Sequence, residues 1–269
     1  MTTTTQGKDL AMESFARRLF TRGIEFFGSR EVRQTCAPLA PKPDQIPPIP
    51  FTKEELERAR ELGQCLELHG PTTMRQLYNV FGNKLGKGKL LYNIDWYRED
   101  LFYTSEKSPD WHWRLTSKEV IPNSTKQDYL QQTRLLVGYL THQVYAGQLF
   151  PEPYVKAIEE LNRQEDTLVT LMAADWKQAA EALAKLQINR LCRETPAQVL
   201  WSIALHFKVN GQYLLPNMYA WTNARSAGGD LVGVGCADSG GVYVGHNYST
   251  LSSDALGVRF SRRALPLAA

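Results

Sequence analysis

The stretch Leu231-Val232-Gly233-Val234-Gly235-Cys236-Ala237-Asp238-Ser239-Gly240-Gly241-Val242-Tyr243-Val244 alternates valine-rich runs with glycine, serine and aspartate. β-Branched residues favour an extended backbone, whereas Gly, Ser and Asp mark the places where a chain turns. The stretch therefore predicts short antiparallel strands, with Gly228-Gly229 and Gly240-Gly241 as hairpin turns. A further run covers Leu256 to Ser261, and the loop before it carries Ser252, Ser253 and Asp254. The change of texture is abrupt. Nine of the 19 glycines lie after Asn210, the last glutamate is Glu194 and the last lysine is Lys208.

Working back toward the N-terminus, helical signals dominate. Leu10, Phe15, Leu19, Ile24 and Phe27 recur at roughly helical spacing over residues 10 to 28, and the prolines between Pro38 and Pro50 predict a stiff, extended connector. Thr52 with Glu55 forms a capping box for a helix through Leu56, Ala59, Leu62 and Leu66. A second helix is expected from Met74 to Phe81. Residues 82 to 120 read as loop and short strand, rich in aromatics such as Tyr92, Trp96, Tyr97, Phe102 and Trp113. Ser124 with Gln127 predicts another capping box, followed by a helix face of Leu130, Thr133, Val137, Leu140 and Val144. Helices are expected again at 151 to 163 and 174 to 187. Thr195, Pro196 and Gln198 then open a helix that Gly211 closes.

The expected class is α+β: a helical N-terminal region followed by short antiparallel strands with long loops. The segments are 1–50, an N-terminal helix and Pro-rich linker; 51–190, mainly helical; and 191–269, the strand-bearing unit. At 269 residues and 43% hydrophobic content the chain is long enough for a sizeable core. A net charge of +3, with basic and acidic residues intermixed, does not imply nucleic acid. The N-terminus lacks an n-region and h-region, and no stretch has the length and apolarity of a membrane span, so a soluble chain is expected. Cys36, Cys65, Cys192 and Cys236 lie far apart with no C-x-x-C, which favours free thiols over disulfides or zinc. His246 near Cys236 and Asp238 has no second histidine to complete a metal site. Ser249, Ser252 and Ser253 with His246 and Asp254 lack any nucleophile-elbow pattern. Neither cofactor nor catalytic residue is expected.

The residue types missing from the C-terminal stretch carry the functional signal. Lys, Glu, Gln, Met and Trp make up 56 of the first 221 residues and none of the last 48. Strands and turns disfavour Lys and Glu by themselves, but the loss of Gln, Met and Trp needs a further cause. These five types are the ones that substitution at the two adenines of an AAC or AAT codon never produces.

The run Leu214-Leu215-Pro216-Asn217-Met218-Tyr219-Ala220-Trp221-Thr222, then Arg225-Ser226, Leu231-Val232, Gly241-Val242-Tyr243-Val244 and Leu256-Gly257-Val258-Arg259-Phe260-Ser261-Arg262 resembles the framework of the variable proteins of diversity-generating retroelements. The terminal Leu-Gly-Val-x-Phe-Ser-Arg is its most specific piece. The resemblance is best over residues 195 to 263 and extends upstream through Phe51-Thr52, Asp95-Trp96-Tyr97 and Ser117 to Thr125. It implies a C-type lectin fold of the formylglycine-generating-enzyme type and a gene whose 3′ end is rewritten at template adenines. It also implies a non-enzymatic, receptor-like protein with a protein ligand.

The residues expected to vary and point outward are Asn223, Ala224, Asp230, Gly233, Cys236, Ala237, Asp238, Ser239, Tyr243, Gly245, His246, Asn247, Tyr248, Thr250, Ser253 and Asp254. Tyr243, His246 and Tyr248 are the expected anchors, because aromatics contribute large contact area at low entropy cost. Gly233, Ala237 and Gly245 are expected to shape the hollows between them. Trp221 and Arg225 are read as buried framework. Two alternatives stay open: an enzyme of the formylglycine-generating type, and a structural virion or surface protein. Calcium ligation is not implied, since Pro216-Asn217 lacks a preceding acid or amide.

Overall fold

A computed structural model describes residues 3–265 and shows a mixed fold with two four-stranded sheets. In chain order the strands are β1 (Phe26–Phe27), β2 (Gln64–His69), β3 (His112–Ser117), β4 (Tyr219–Arg225), β5 (Leu231–Asp238), β6 (Gly241–Asn247), β7 (Leu256–Gly257) and β8 (Ser261–Arg263). The helices are α1 (Thr3–Leu19), α2 (Ser29–Thr35), α3 (Lys53–Glu61), α4 (Met74–Phe81), α5 (Leu101–Thr104), α6 (Tyr129–Tyr139), α7 (Glu152–Ala174), α8 (Trp176–Lys185), α9 (Gln187–Cys192) and α10 (Pro196–Asn210). Among the described residues, no helix is long and apolar enough to cross a membrane.

Capping chemistry sets several of these boundaries as read. The Thr52 and Thr195 side chains accept from the backbone N–H of Glu55 and Gln198, and Gly211 closes α10 in the left-handed region at φ +75°. α4 spans Met74–Phe81 as expected. Other expectations fail for identifiable reasons. The helix over 10 to 28 stops at Leu19, and Gly23 turns the chain at φ +71°, so Phe27 enters a strand. α3 ends at Glu61 because Gly63 is left-handed, so Leu66 lies in β2 instead of a helix. The Ser124 box does not form. Asn123 and Lys126 have positive φ, α6 begins after an Asp128–Gln131 box, and the Ser124 hydroxyl accepts from the Val258 N–H at 3.2 Å. α7 runs on to Ala174, eleven residues past its expected end. The proline connector carries two short 3-10 turns, at Ala37–Leu39 and Pro43–Gln45.

The first sheet has the order β1-β2-β3-β8, and the second β6-β5-β4-β7. Both glycine pairs lie in the hairpin connections expected of them, between β4 and β5 and between β5 and β6. β8 returns from the chain's end to pair antiparallel with β3, with Arg114 opposite Arg263 and Thr116 opposite Ser261. One apolar cluster contains Phe20, Phe51, Leu66, Leu115, Leu205, Val232 and Val242, so residues from all three sequence segments share a core. A second cluster joins Tyr129, Leu161 and Leu183 of the helices to Trp221, Val258 and Phe260.

Every residue of β2 is buried, although Glu67 and His69 stand on it. Burying a carboxylate is costly unless it is paired, and Glu67 is heavily paired. It accepts from Ser202 Oγ at 2.6 Å and from His69 and His206 Nε2 at 3.0 Å each, with Arg259 Nη2 at 3.6 Å. Arg259 in turn reaches Glu194 at 2.8 Å and the Ser117 carbonyl at 2.6 Å. Arg262 bonds Glu55 at 2.7 Å and the Tyr145 hydroxyl at 2.9 Å. The two arginines of the terminal motif are thus interior ties between the end of the chain and its beginning. Burial disfavours charge on Glu67, but its donors win and hold its carboxyl well below the usual range. His69 and His206 are held below their ordinary value, chiefly by burial.

Candidate binding face

β6 is an edge strand, and the aromatic side chains of the C-terminal stretch gather along it, on both of its faces. Each of the three expected anchors rests on an aromatic ring from outside that stretch. Tyr243 stacks on Tyr92 with centroids 4.3 Å apart and planes at 18°; His246 packs on Trp96 at 4.4 Å; Tyr248 packs on Trp176 at 4.5 Å. Alternation along a strand sends Tyr243 and His246 to opposite faces of β6. The segment before α5 wraps this edge and presents Tyr92 to one and Trp96 to the other. From Tyr243 to Tyr248 the strip is about 17 Å long at strand rise. Tyr92 is 50% exposed, Trp96 39% and Tyr248 54%, so the strip offers ring surface to solvent while its rings are braced from behind.

The bracing is a matter of backbone contact. Tyr92 N–H donates to the Val242 carbonyl, Val242 N–H to Leu90 and Lys89 N–H to Ser239, which docks the 89–92 segment along β6. The approach is close enough to need glycine on both sides. A Cβ on Gly241, at φ +118°, would lie 2.5 Å from Tyr92 N, and one on Gly88 would lie 2.3 Å from the Ser239 carbonyl. His246 Nδ1 meets the Asp230 carboxylate at 2.8 Å, which orients the ring over Trp96.

The other expected variable residues divide by position. Gly245 and Asn247 share the strip and are half-buried. Asp238 and Ser239 are exposed at the β5–β6 turn, with Cys236 half-buried beside it at φ +45°. Thr250 and Asp254 are exposed and Ser253 half-buried in the loop before β7.

Four do not point outward. Gly233 and Ala237 are buried because β5 lies inside its sheet: Leu256 and Trp221 cover Gly233, and Ala237 joins the apolar cluster. They shape no hollow. Ala224 is buried in the same cluster, and Asp230 is buried under His246. Asn223 is half-buried and lines a cleft beside α5, α8 and α9. Trp221 is buried as read, while Arg225 is half-buried and pairs with Glu181 at 3.2 Å.

Sequence reasoning missed Tyr92, Trp96 and Trp176 as members of this face. Tyr92 and Trp96 stood out as aromatics in an irregular segment, but nothing local announces that the segment lines β6. The four cysteines are free thiols. Cys65, Glu67 and His206 offer ligand atoms within 4.8 Å of one another, but the Glu67 oxygens are already taken by Ser202, His69 and His206. No protein-family model, curated protein or solved structure matches this chain.

Proposed function

We propose that this chain is a receptor-like binding protein of the diversity-generating retroelement type, without catalytic activity, and that the strip along β6 takes a protein ligand. The observation that carries the reading is the division of labour in the three aromatic pairs. One ring of each pair comes from the stretch that lacks Lys, Glu, Gln, Met and Trp, and its brace comes from the chain before it. Two of the braces are tryptophans, a type the stretch itself never contains. Side chains on the strip are then free to change while their support stays constant, which is the physical logic of a paratope. Exposed aromatics braced in this way are the usual anchors of protein interfaces.

The finer fold assignment belongs to the same reading. Two small sheets, an end strand returned to an early one and a loop-rich second sheet support a C-type lectin arrangement. The test is the DNA of the gene with its downstream flank. A near-identical repeat whose mismatches fall on template adenines at codons between 223 and 254, beside a reverse transcriptase gene, is the expected result. The absence of both repeat and reverse transcriptase would remove the diversification from the reading. Within the reading, codons 233 and 237 should be constant, because their side-chain positions are interior.

A further inference from the structure

A cleft of about 1030 Å³ opens between α5, α8, α9 and the paired strands β3 and β8. Seven Lys or Arg side chains and two carboxyl groups line it, in a chain whose formal net charge is only +3. One carboxylate, Glu181, is shared between Lys185 and Arg225. The other, Glu106, makes no ion pair within 4.0 Å among the described residues, and burial pushes its carboxyl up to about 7, so near neutral pH it is only partly ionised and the lining stays strongly basic.

The centre of the imbalance is Arg114 and Arg263. They are direct cross-strand partners in the β3–β8 ladder, where like charges destabilise each other. Arg114 is 4% exposed and spends Nε and Nη2 on Ser261 at 2.7 and 3.0 Å. Neither arginine has a carboxylate within 4.0 Å among the described residues. Burial and Arg114 together depress Arg263 to about 10, which marks a cation held in an unfavourable place. Lys107 and Arg190 stand exposed at the rim, also without ion pairs among the described residues.

We propose that this cleft binds a small phosphorylated molecule, with its phosphoryl group seated between Arg114 and Arg263. Two adjacent guanidinium groups call for a ligand carrying close to two negative charges and several acceptor oxygens in a small volume. A phosphate monoester has both, whereas a single carboxylate has one charge and two oxygens. Rim cations raise the capture rate of such a ligand and make binding salt-dependent. Leu101, Phe102 and Leu191 provide an apolar wall for the remainder of the molecule.

Titration calorimetry with pyrophosphate as probe, at low ionic strength, tests this directly. Saturable binding is expected, weakened about tenfold by Arg263→Gln and severalfold by Arg190→Ala, with no change for Lys156→Ala, which removes an equal charge from exposed α7. Arg190 is exposed on its helix, so its variant remains informative if Arg263→Gln does not fold. Citrate, a tricarboxylate of similar charge, should bind more weakly than pyrophosphate. The proposal is overturned by the absence of saturable binding at millimolar pyrophosphate, by citrate binding equally well, or by full affinity in Arg190→Ala and a folded Arg263→Gln.

Discussion

The Glu67 network beneath the first sheet and the aromatic strip on the edge of the second are built on opposite physical terms. Inside, Glu67, His69, His206, Arg259 and Glu194 hold one another by charge-assisted hydrogen bonds and, between Arg259 and Glu67, a longer ion pair, in a medium where a missing partner is costly. Outside, Tyr243, His246 and Tyr248 rest on rings through contacts that solvent already half replaces. On the proposed reading, the contrast shows how a chain could tolerate change at one surface: its fold is secured by ties that involve none of the positions proposed to vary. Arg259 and Arg262 make the point most directly, because they lie only a few residues beyond the Thr250–Asp254 loop and yet reach Glu194 and Glu55 in the interior.

The comparison is most exposed to failure at Glu67. Glu67→Ala leaves Ser202 and two histidines without their acceptor and removes one of the two carboxylates beside Arg259, and should cost about 3–5 kcal/mol in urea unfolding. A loss under about 1 kcal/mol would mean that the network is not the tie described. Acid should attack the same place. His69 and His206 resist protonation when folded, whereas the unfolded chain protonates them from pH 6.5 downward. Their contribution is therefore complete above pH 6.5 and is lost as pH falls below it, by up to about 1.4 kcal/mol per pH unit for each ring. Glu67, also depressed, adds a loss of the same sign below 4.5. A melting temperature unchanged between pH 7 and 5 would contradict this assignment.

Smaller effects sharpen the other side. Gly241→Ala places a methyl group 2.5 Å from Tyr92 N at positive φ and should cost about 1–3 kcal/mol, with increased hydrogen exchange at the Tyr92 amide as the local signature. Tyr248→Ala and Thr250→Ala should each change stability by about 0.5 kcal/mol or less. A loss above about 2 kcal/mol at Tyr248 would turn the ring from a ligand anchor into a structural member. Once a protein ligand is in hand, the same Tyr248 substitution should weaken binding by about 2 kcal/mol.

Legibility in the sequence followed the range of the interactions. Thr52–Glu55, Thr195–Gln198 and Gly211 act within one turn, so residue type and spacing were sufficient to place α3 and α10 at the correct starts. The spacing of Leu56, Ala59, Leu62 and Leu66 carries the expected helix into β2, whose Gln64, Glu67 and His69 are polar where a buried strand normally has none. Their partners lie up to 192 positions away, at Arg259, and no local pattern reports them. On the face, Tyr243, His246 and Tyr248 were recognisable as exposed aromatics, whereas Gly233 and Ala237 looked equally free because sequence does not say which strand is central.

The sequence by itself determined the change from helices to short strands near Asn210, the caps at Thr52, Thr195 and Gly211, and the absence of five residue types from the last 48 positions. All of these depend on near neighbours or on composition. Only the tertiary structure decided that β8 closes the first sheet against β3, that Tyr92, Trp96 and Trp176 brace the strip, and that Arg114 lies beside Arg263 in the wall of a cleft. Each of these joins residues far apart in the chain, and such contacts exist only after the core has paid the entropy of bringing them together.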